Sequence, residues 1–488
     1  MLIPVWREVS FDALTPVAAF ANLRRGGFSF LLESAPAGGE AWSRFSYFGT
    51  EPRGAWRVRD GVVDEWTPER GWHGERRPAD PLADLESLLA REPAAAHPEL
   101  AAACGGFWGG AVGFFGYDMV RHMERLPHAP KRALDIPDAL FVLTRVLVVI
   151  DSLRARALLV ASVPVPHGAP AAAREQLEAD AQRDLDEAEA RLRAPVTLTP
   201  LTVDPGGAPA TGQSSASQEA FERSVLRIKD YIVAGDAFQV LLARRIALAH
   251  DFDTTDLYRA LRTINPSPYM FHLQLDGTEL VGSSPELLFR LVDNRIIVRP
   301  IAGTRRRAGT PDGDAVLAAE LRADEKERAE HLMLVDLGRN DVGRVATFGT
   351  VAVTELMVVE RYSHVLHLVS EVQGELRPGV TAMDALRATF PAGTMTGAPK
   401  LRAMEIIDEL ESERRGPYAG AVGYIAAGAG RVDLAITIRT CVVAQGIASV
   451  QAGAGIVHDS EPAREWAETE IKARALLTAI TSARTARR

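Results

Sequence analysis

Cysteine is nearly missing from this 488-residue chain. Only Cys104 and Cys441 occur, far apart and without partners at knuckle spacing, which excludes a disulfide framework and structural zinc. Neither stands in a nucleophile signature, so no glutamine-hydrolysing thiol is present. Long apolar runs are lacking too. No stretch of about 18 uncharged apolar residues exists, and the opening MLIPVWREVSFD has no cationic segment leading into an apolar one. Neither a membrane span nor a secretory leader is expected, and a cytoplasmic location is expected. Basic stripes interleaved with aromatics are absent: the net charge is −9 and the densest cationic run is Arg305-Arg306-Arg307, which leaves no footprint for a nucleic acid. No GxGxxG loop and no regular βαβ alternation occur, nor any short internal repeat.

What is there is a 47% hydrophobic, 24% charged composition, that of a large globular protein with room for two or three domains. Residues 28–34 read as a strand, and 141–150 and 157–163 as two β-branched strands joined by the turn Asp151-Ser152. Ala, Glu and Arg dominate 171–193, predicting a helix. Residues 194–216, dense in Pro, Thr, Gly and Ser, mark an exposed linker between an N-terminal domain, 1–193, and a second domain, 217–488. That second part opens with Ser217 as N-cap, Phe221, Val225, Ile228 and Ile232 at helical spacing, Gly235 as terminator, then a strand over 238–246. The mixture supports an α+β class.

The sharpest signal is the stretch DEKERAEHLMLVDLGRNDVGR at 324–344, read as a helix with Leu332, Leu334, Val335 and Leu337 buried and Glu327 and Glu330 three apart on one face. Glu465 and Glu468 repeat that spacing on a C-terminal helix entered through Asp459, Ser460, Glu461 and Pro462, with Trp466, Ala473, Leu476 and Ile480 as its apolar side. Singly, such pairs belong to solvated faces. If the helices face each other, four carboxylates meet, an arrangement tolerable around a hard cation such as Mg²⁺.

Three further stretches suit a small anion. FPAGTMTGAPK at 390–400 leads into a helix with Leu401, Met404, Ile407 and Leu410 inside, its N-terminus offering backbone N–H groups, two Thr hydroxyls and Lys400. QAGAGIV at 451–457 leaves backbone open to close approach. PIAGTR at 300–305 puts Gly303, Thr304 and Arg305 at a strand end. Taken one at a time, each has an ordinary structural reading, as do Glu286, Tyr418, Arg439 and His367.

In combination, SPELLFR, RPIAGTR, EHLMLVDLGRNDVGRV, RYSHVLHLVSEVQGEL, FPAGTMTGAPKLRAMEIIDELE, RRGPYAGAVGY and QAGAGIVHDSEPAREWAETEIKA resemble the chorismate-utilising enzymes, most closely the large-subunit branch of the anthranilate synthases. The resemblance spans 218 to about 480 almost continuously and is thinner before that, chiefly Leu31-Leu32-Glu33-Ser34. It implies a large α/β sandwich with antiparallel sheets inside and helices outside. Mg²⁺ is expected on Glu330 and Glu468, with Glu327 and Glu465 beside them. Chorismate is expected against Gly303, Thr304, Tyr418, Arg439, Gly453, Ala454, Gly455 and Lys472. At the reacting centre the resemblance places Thr394, Glu286 as acid for the departing hydroxyl, His367 for proton handling or positioning, and Gln239.

Two positions separate the branches. Family members that add water carry a Lys where Gln239 stands, and those making the para-amino product carry a Lys where Ala302 stands, so the ortho-amino product, anthranilate, is expected. Ammonia is expected from a separate glutamine amidotransferase subunit in a heterotetramer of two large and two small chains. Tryptophan is expected as feedback inhibitor at Ser34, Pro268, Tyr269 and Met270. The rivals are an aminodeoxychorismate synthase component and a non-catalytic tryptophan-binding regulator. Departures from the usual pattern are Arg306 for Pro, Met395-Thr396 for Leu-Ser, and Gly338 for Ala.

Overall fold

The computed structural model describes residues 1–34, 44–196, 198–362 and 365–486. Its extended runs pair into two antiparallel sheets, each of twelve strands among the described residues. The first runs from the edge strand Leu2–Ser10 through Arg156–Pro164, Val146–Asp151, Phe45–Thr50 and Phe28–Glu33, then on through Tyr269–Leu275, Thr278–Ser284, Thr440–Ala444, Ile447–Ile456 and Gln239–Ala249. The second starts at Ile301–Arg306 and Val365–Glu375 and passes through Leu287–Val292, Arg431–Ile436, Ala421–Ala426, Gly110–Phe115 and Ala139–Leu143. Strands from both sides of 194–216 thus share both sheets.

The sheets face each other. Phe30, Tyr47, Val149 and Leu273 of the first meet Phe114, Leu140 and Tyr424 of the second in one buried cluster, with Phe107 stacked on Tyr424 at 4.1 Å. Because strand side chains alternate, Phe30 points into this layer while its neighbour Leu31 points out, under the helices Pro16–Leu23, Ala171–Leu192, Thr254–Ile264 and Pro462–Thr485, which cover it with Phe20, Leu185, Leu257 and Ile480. The outer face of the second sheet, Trp56, Phe141 and Phe289, is covered by Pro81–Ala90, Glu325–Gly343 and Ala382–Thr389. At about 1.5–3 kcal/mol for each large apolar side chain buried, these three layers dominate the stabilisation. The expected class, α+β with sheets inside and helices outside, is the one found.

Several local expectations are corrected. The apolar run 141–150 is two strands in different sheets, Ala139–Leu143 and Val146–Asp151, and the chain crosses between sheets at Thr144 and Arg145. Thr144 Oγ1 accepts the Gly110 N–H at 3.0 Å. Periodicity hides this corner because both strands are buried on both faces. The 194–216 stretch is mostly exposed but tied down: Ala210 is buried and donates its N–H to Leu477 O at 3.0 Å, and Gln213–Ser214 pairs with Gln239–Ala249. In the Glu325–Gly343 helix, Leu332 is exposed whereas His331 is fully buried against Ser370 Oγ at 2.6 Å. Leu332 stands 100° away from that buried face. Likewise Leu401 is exposed, and Ala403 and Ile406 join Met404 and Ile407 inside.

Candidate active site

Two sheet-to-sheet crossings build the site. Strand Thr278–Ser284 of the first sheet passes through Pro285 and Glu286 into Leu287–Val292 of the second, and Arg431–Ile436 returns through 437–439 to Thr440–Ala444. The crossings are laced together: Ser284 Oγ donates to Ile436 O at 2.6 Å, Ile436 N–H donates to Glu286 O at 3.0 Å, and Ser283 N–H donates to Arg439 O at 3.1 Å. Arg439 holds φ 49°, a left-handed conformation uncommon for a residue with a side chain. Glu286, only 8% exposed, is thereby fixed in the wall of a cavity of about 610 Å³. Burial pushes its carboxyl up to about 7, against the pull of the Thr394 hydrogen bond and the Lys472 charge. Thr394 Oγ1 donates to Glu286 Oε1 at 2.9 Å.

The acidic helices supply another wall. Asp324 caps Glu325–Gly343 by accepting the N–H groups of Lys326 and Glu327 at 3.1 Å, while Pro462–Thr485 starts at its proline without a side-chain cap, Ser460 Oγ being spent on the Val457 N–H. Glu327, Glu330, Glu465 and Glu468 all line the cavity. Glu330 is raised by burial and by the charges of Glu327 and Glu468, the mark of two helices facing each other. Glu465 is raised by burial, opposed by its hydrogen bond from Ser460 and reinforced by Glu468. The four share a wall and do not close on one point: among the described residues no three His, Cys, Asp or Glu side chains stand ready to hold a metal. Arg305 draws Glu327 aside at 2.9 Å, and Lys472 draws Glu468 at 2.7 Å. Glu330 has no hydrogen-bond or ion-pair partner among the described residues. An all-oxygen set with that unpaired, repelled carboxylate at its centre fits a hard divalent cation.

The remaining predicted residues fall around the same space, with exceptions. Gly303 holds φ +61°, a conformation that residues with a side chain rarely adopt, and a Cβ there would stand tightly at 3.0 Å from Leu321 Cδ1 and 3.1 Å from Glu327 Oε2. His367 Nδ1 lies 3.0 Å from Gly303 O and 3.2 Å from Thr304 Oγ1, so Nδ1 carries the proton and donates to the carbonyl. Burial lowers the pKa of this ring, leaving Nε2 unprotonated at neutral pH. Gln239 lies across Gly455, where a Cβ would meet its Nε2 at 2.5 Å. Lys472 Nζ donates to Gly453 O at 2.9 Å, and Tyr418, Arg439 and Ala302 also face the cavity. Ala454 does not: strand alternation turns it into the Phe221, Val225 and Ile407 cluster. Lys400, read as an anion ligand, instead pairs with Asp341 at 2.9 Å, and Thr396 Oγ1 donates to Ala392 O at 3.1 Å inside its own loop.

Ser34, Pro268, Tyr269 and Met270 meet elsewhere, around a second cavity of about 760 Å³ between the strand ends of both sheets. Ser34 Oγ is buried there without a hydrogen-bond partner among the described residues. Burial pushes both thiols, Cys104 and Cys441, up to about 12, so they are chemically silent.

The family described as chorismate binding enzyme matches residues 49–478. The chain belongs to this chorismate-binding enzyme family. A protein named anthranilate synthase component 1 from Thermus thermophilus is 48% identical over 96% of both chains, and one of the same name from Pseudomonas putida is 46% identical over 98% of this chain and 95% of its own. The crystal structure of anthranilate synthase component I from Streptococcus pneumoniae superposes with TM-score 0.78 at 37% identity, covering 90% of this chain and 93% of that one. A menaquinone-specific isochorismate synthase from Escherichia coli, at 19% identity and TM-score 0.70, shares the fold.

Sequence reasoning missed the brace behind this site. Arg415 and Glu411, one helical turn apart by number and 4% and 9% exposed, pair through two hydrogen bonds of 2.9 and 2.6 Å. Arg415 also donates to Met395 O at 2.7 Å and Leu241 O at 2.9 Å, and Glu411 accepts the Ala243 N–H at 2.9 Å. An i, i+4 Glu–Arg pair reads as surface chemistry, and only the apolar segments converging on it reveal its burial. Arg415→Leu strands a buried carboxylate and two carbonyl acceptors, and is expected to destabilise the fold by about 3–5 kcal/mol in urea unfolding.

Proposed function

We propose that this chain is component I of an anthranilate synthase, a lyase converting chorismate and ammonia into anthranilate, pyruvate and water. The observation that carries the reading is a contrast within one cavity. An acid with pKa about 7, Glu286, and four glutamates face the same space, while the two positions that supply an amine in other family branches are Gln239 and Ala302. With no amine nucleophile at either position, nitrogen comes from outside. The similarity to proteins named anthranilate synthase component 1 over almost the whole chain supports it.

Glu330 and Glu468, flanked by Glu327 and Glu465, would hold Mg²⁺, whose chemistry is to neutralise and orient the ring carboxylate. Arg439, Thr304 and the backbone of Gly453 and Gly455 orient the rest of the dianion. As ammonia adds at C2, the two conjugated ring double bonds both shift by one position and the C4 hydroxyl leaves as water, taking the Glu286 proton; Thr394 holds Oε1 and leaves Oε2 for that proton. Unprotonated His367 Nε2 accepts the C2 proton as the enolpyruvyl group departs and the ring becomes aromatic. Tryptophan occupies the second cavity, with Ser34 Oγ and Met270 in contact. Ammonia is supplied by a separate glutamine amidotransferase component.

The direct test is product identification with purified chain, chorismate, Mg²⁺ and ammonium salt: ortho-aminobenzoate and pyruvate are expected in equal amounts, and para-aminobenzoate or no turnover would refute the reading. Glu286→Gln is expected to lower kcat about 10²–10⁴-fold with chorismate binding retained. The acid form of Glu286 exists below its raised pKa and is lost above it, so kcat at constant neutral-ammonia concentration is expected to fall through about pH 7. Thr394→Val deletes a bond that favours the carboxylate, and the alkaline limb of that profile should move to higher pH. Calorimetric titration should show Mg²⁺ affinity weakened by Glu330→Gln.

A further inference from the structure

The Arg415–Glu411 pair does not line the substrate cavity, but what it holds does. Met395, whose carbonyl accepts from Arg415 at 2.7 Å, closes the short turn Gly393–Met395, and Leu241, whose carbonyl accepts at 2.9 Å, belongs to strand Gln239–Ala249. Both residues line the cavity, so one guanidinium grips two parts of its wall from behind. The turn's own bonds, Met395 N–H to Ala392 O at 3.0 Å and Thr396 N–H to Gly393 O at 3.2 Å, are local and give it shape without placing it. Its placement against the strand comes from Arg415, from Leu241 N–H donating to Thr396 O at 2.8 Å, and from the pairing of Gly397–Ala398 that follows. Of these ties, Arg415 holds the residue next to Thr394. Glu411 fixes the plane of the guanidinium through bonds of 2.9 and 2.6 Å, and the Tyr117 ring lies under it, its centroid 4.8 Å from Cζ.

We propose that Arg415, held by Glu411, is a positioning residue for the reaction: it sets the Gly393–Met395 turn and thereby aims the Thr394 hydroxyl at Oε1 of Glu286. The inference rests on the anthranilate synthase reading and adds a residue to its machinery. Thr394 is the single hydrogen-bond donor to that carboxyl among the described residues, so a small movement of the turn reaches the acid directly. Through-space charge is not the route. The charged and titratable groups around Glu286 are Lys326, His367, Arg439, Lys472 and the four glutamates on the cavity side, with Arg299 and Asp341 behind it, and Arg415 is not among the causes of its shift. Lysine would keep the positive charge at 415, but a single ammonium cannot hold two carbonyls and both carboxylate oxygens in one plane.

The experiment measures kcat against pH for the full chain with chorismate, Mg²⁺ and a constant concentration of neutral ammonia, in unsubstituted, Arg415→Lys, Thr394→Val and doubly substituted forms. Arg415→Lys is expected to lower kcat about tenfold. It should also move the alkaline limb to higher pH, the direction expected of Thr394→Val, because the bond it disturbs favours the carboxylate. In the Thr394→Val background the same substitution should change kcat by no more than about twofold and leave the limb where it is. Glu411→Gln, which keeps the shape but offers one acceptor oxygen in place of two, should act in the same direction and serves if Arg415→Lys does not fold. Leu185→Ala, which opens a cavity in the apolar layer outside the first sheet, reports the effect of lost stability alone: a lower Tm and an unmoved limb. An unmoved limb in the folded Arg415→Lys and Glu411→Gln chains, effects that add to those of Thr394→Val, or the same movement in Leu185→Ala would overturn the assignment. Failure of the unsubstituted chain to form anthranilate would instead overturn the functional reading beneath it.

Discussion

The arrangement of the site depends on how the two sheets are stitched at 285–286 and 437–439. A crossing strand must leave one sheet's hydrogen-bond ladder before joining the other's, and the backbone groups released there need partners. Here the crossings satisfy each other, through Ser284 to Ile436, Ile436 to Glu286 and Ser283 to Arg439. The acid and the guanidinium are consequently attached to backbone that is hydrogen-bonded from one crossing to the other. Rigid support is what keeps a carboxyl 8% exposed with a single hydrogen-bond donor, conditions that a mobile loop would relax by letting water in.

The same stitching links the two cavities. Strand Tyr269–Leu275, whose first residues edge the second cavity, pairs with Thr278–Ser284 so that Tyr269 faces Ser284 and Met270 faces Ser283. One residue after Ser284 the chain turns into the crossing that holds Glu286. On its far side, Arg290 pairs with Asp433 at 2.8 Å, and both line the second cavity. A ligand wedged among Ser34, Met270 and Asp433 therefore bears on both strands that enter the crossings. If it binds one arrangement of them better than another, it shifts chorismate affinity by the same factor that chorismate shifts its own.

The sequence made much of this legible because the signals were chemical. Glu-x-x-Glu twice, small residues before a helix, and a Gly-Thr-Arg at a strand end each mean something whatever the fold. They did meet around one cavity. What stayed hidden were features set by tertiary context. The run at 141–150 looks like one strand because a corner between two doubly buried strands leaves no polar trace except Thr144 and Arg145. Lys400 looks like an anion ligand until Asp341, 59 positions earlier, claims it. Ala454 sits between two cavity-lining glycines, and only the parity of strand Ile447–Ile456 shows that it faces away. The buried Arg415–Glu411 brace carries the spacing of an exposed pair.

The glutamates of this cavity stand in two different environments. Glu327 and Glu468 keep cations beside them, and Glu330 and Glu465, though raised by burial and mutual repulsion, gain from any cation brought between the helices. Glu286 stands apart from that group: its pKa is lifted mainly by burial, and the other carboxylates are not among the causes of its shift. Had it been drawn into the acidic wall, a cation bound there would pull its pKa down and favour its carboxylate form. In the proposed function, an acid on the sheet crossing and cation ligands on helices would let one pocket hold both a metal and a protonated carboxyl near neutral pH.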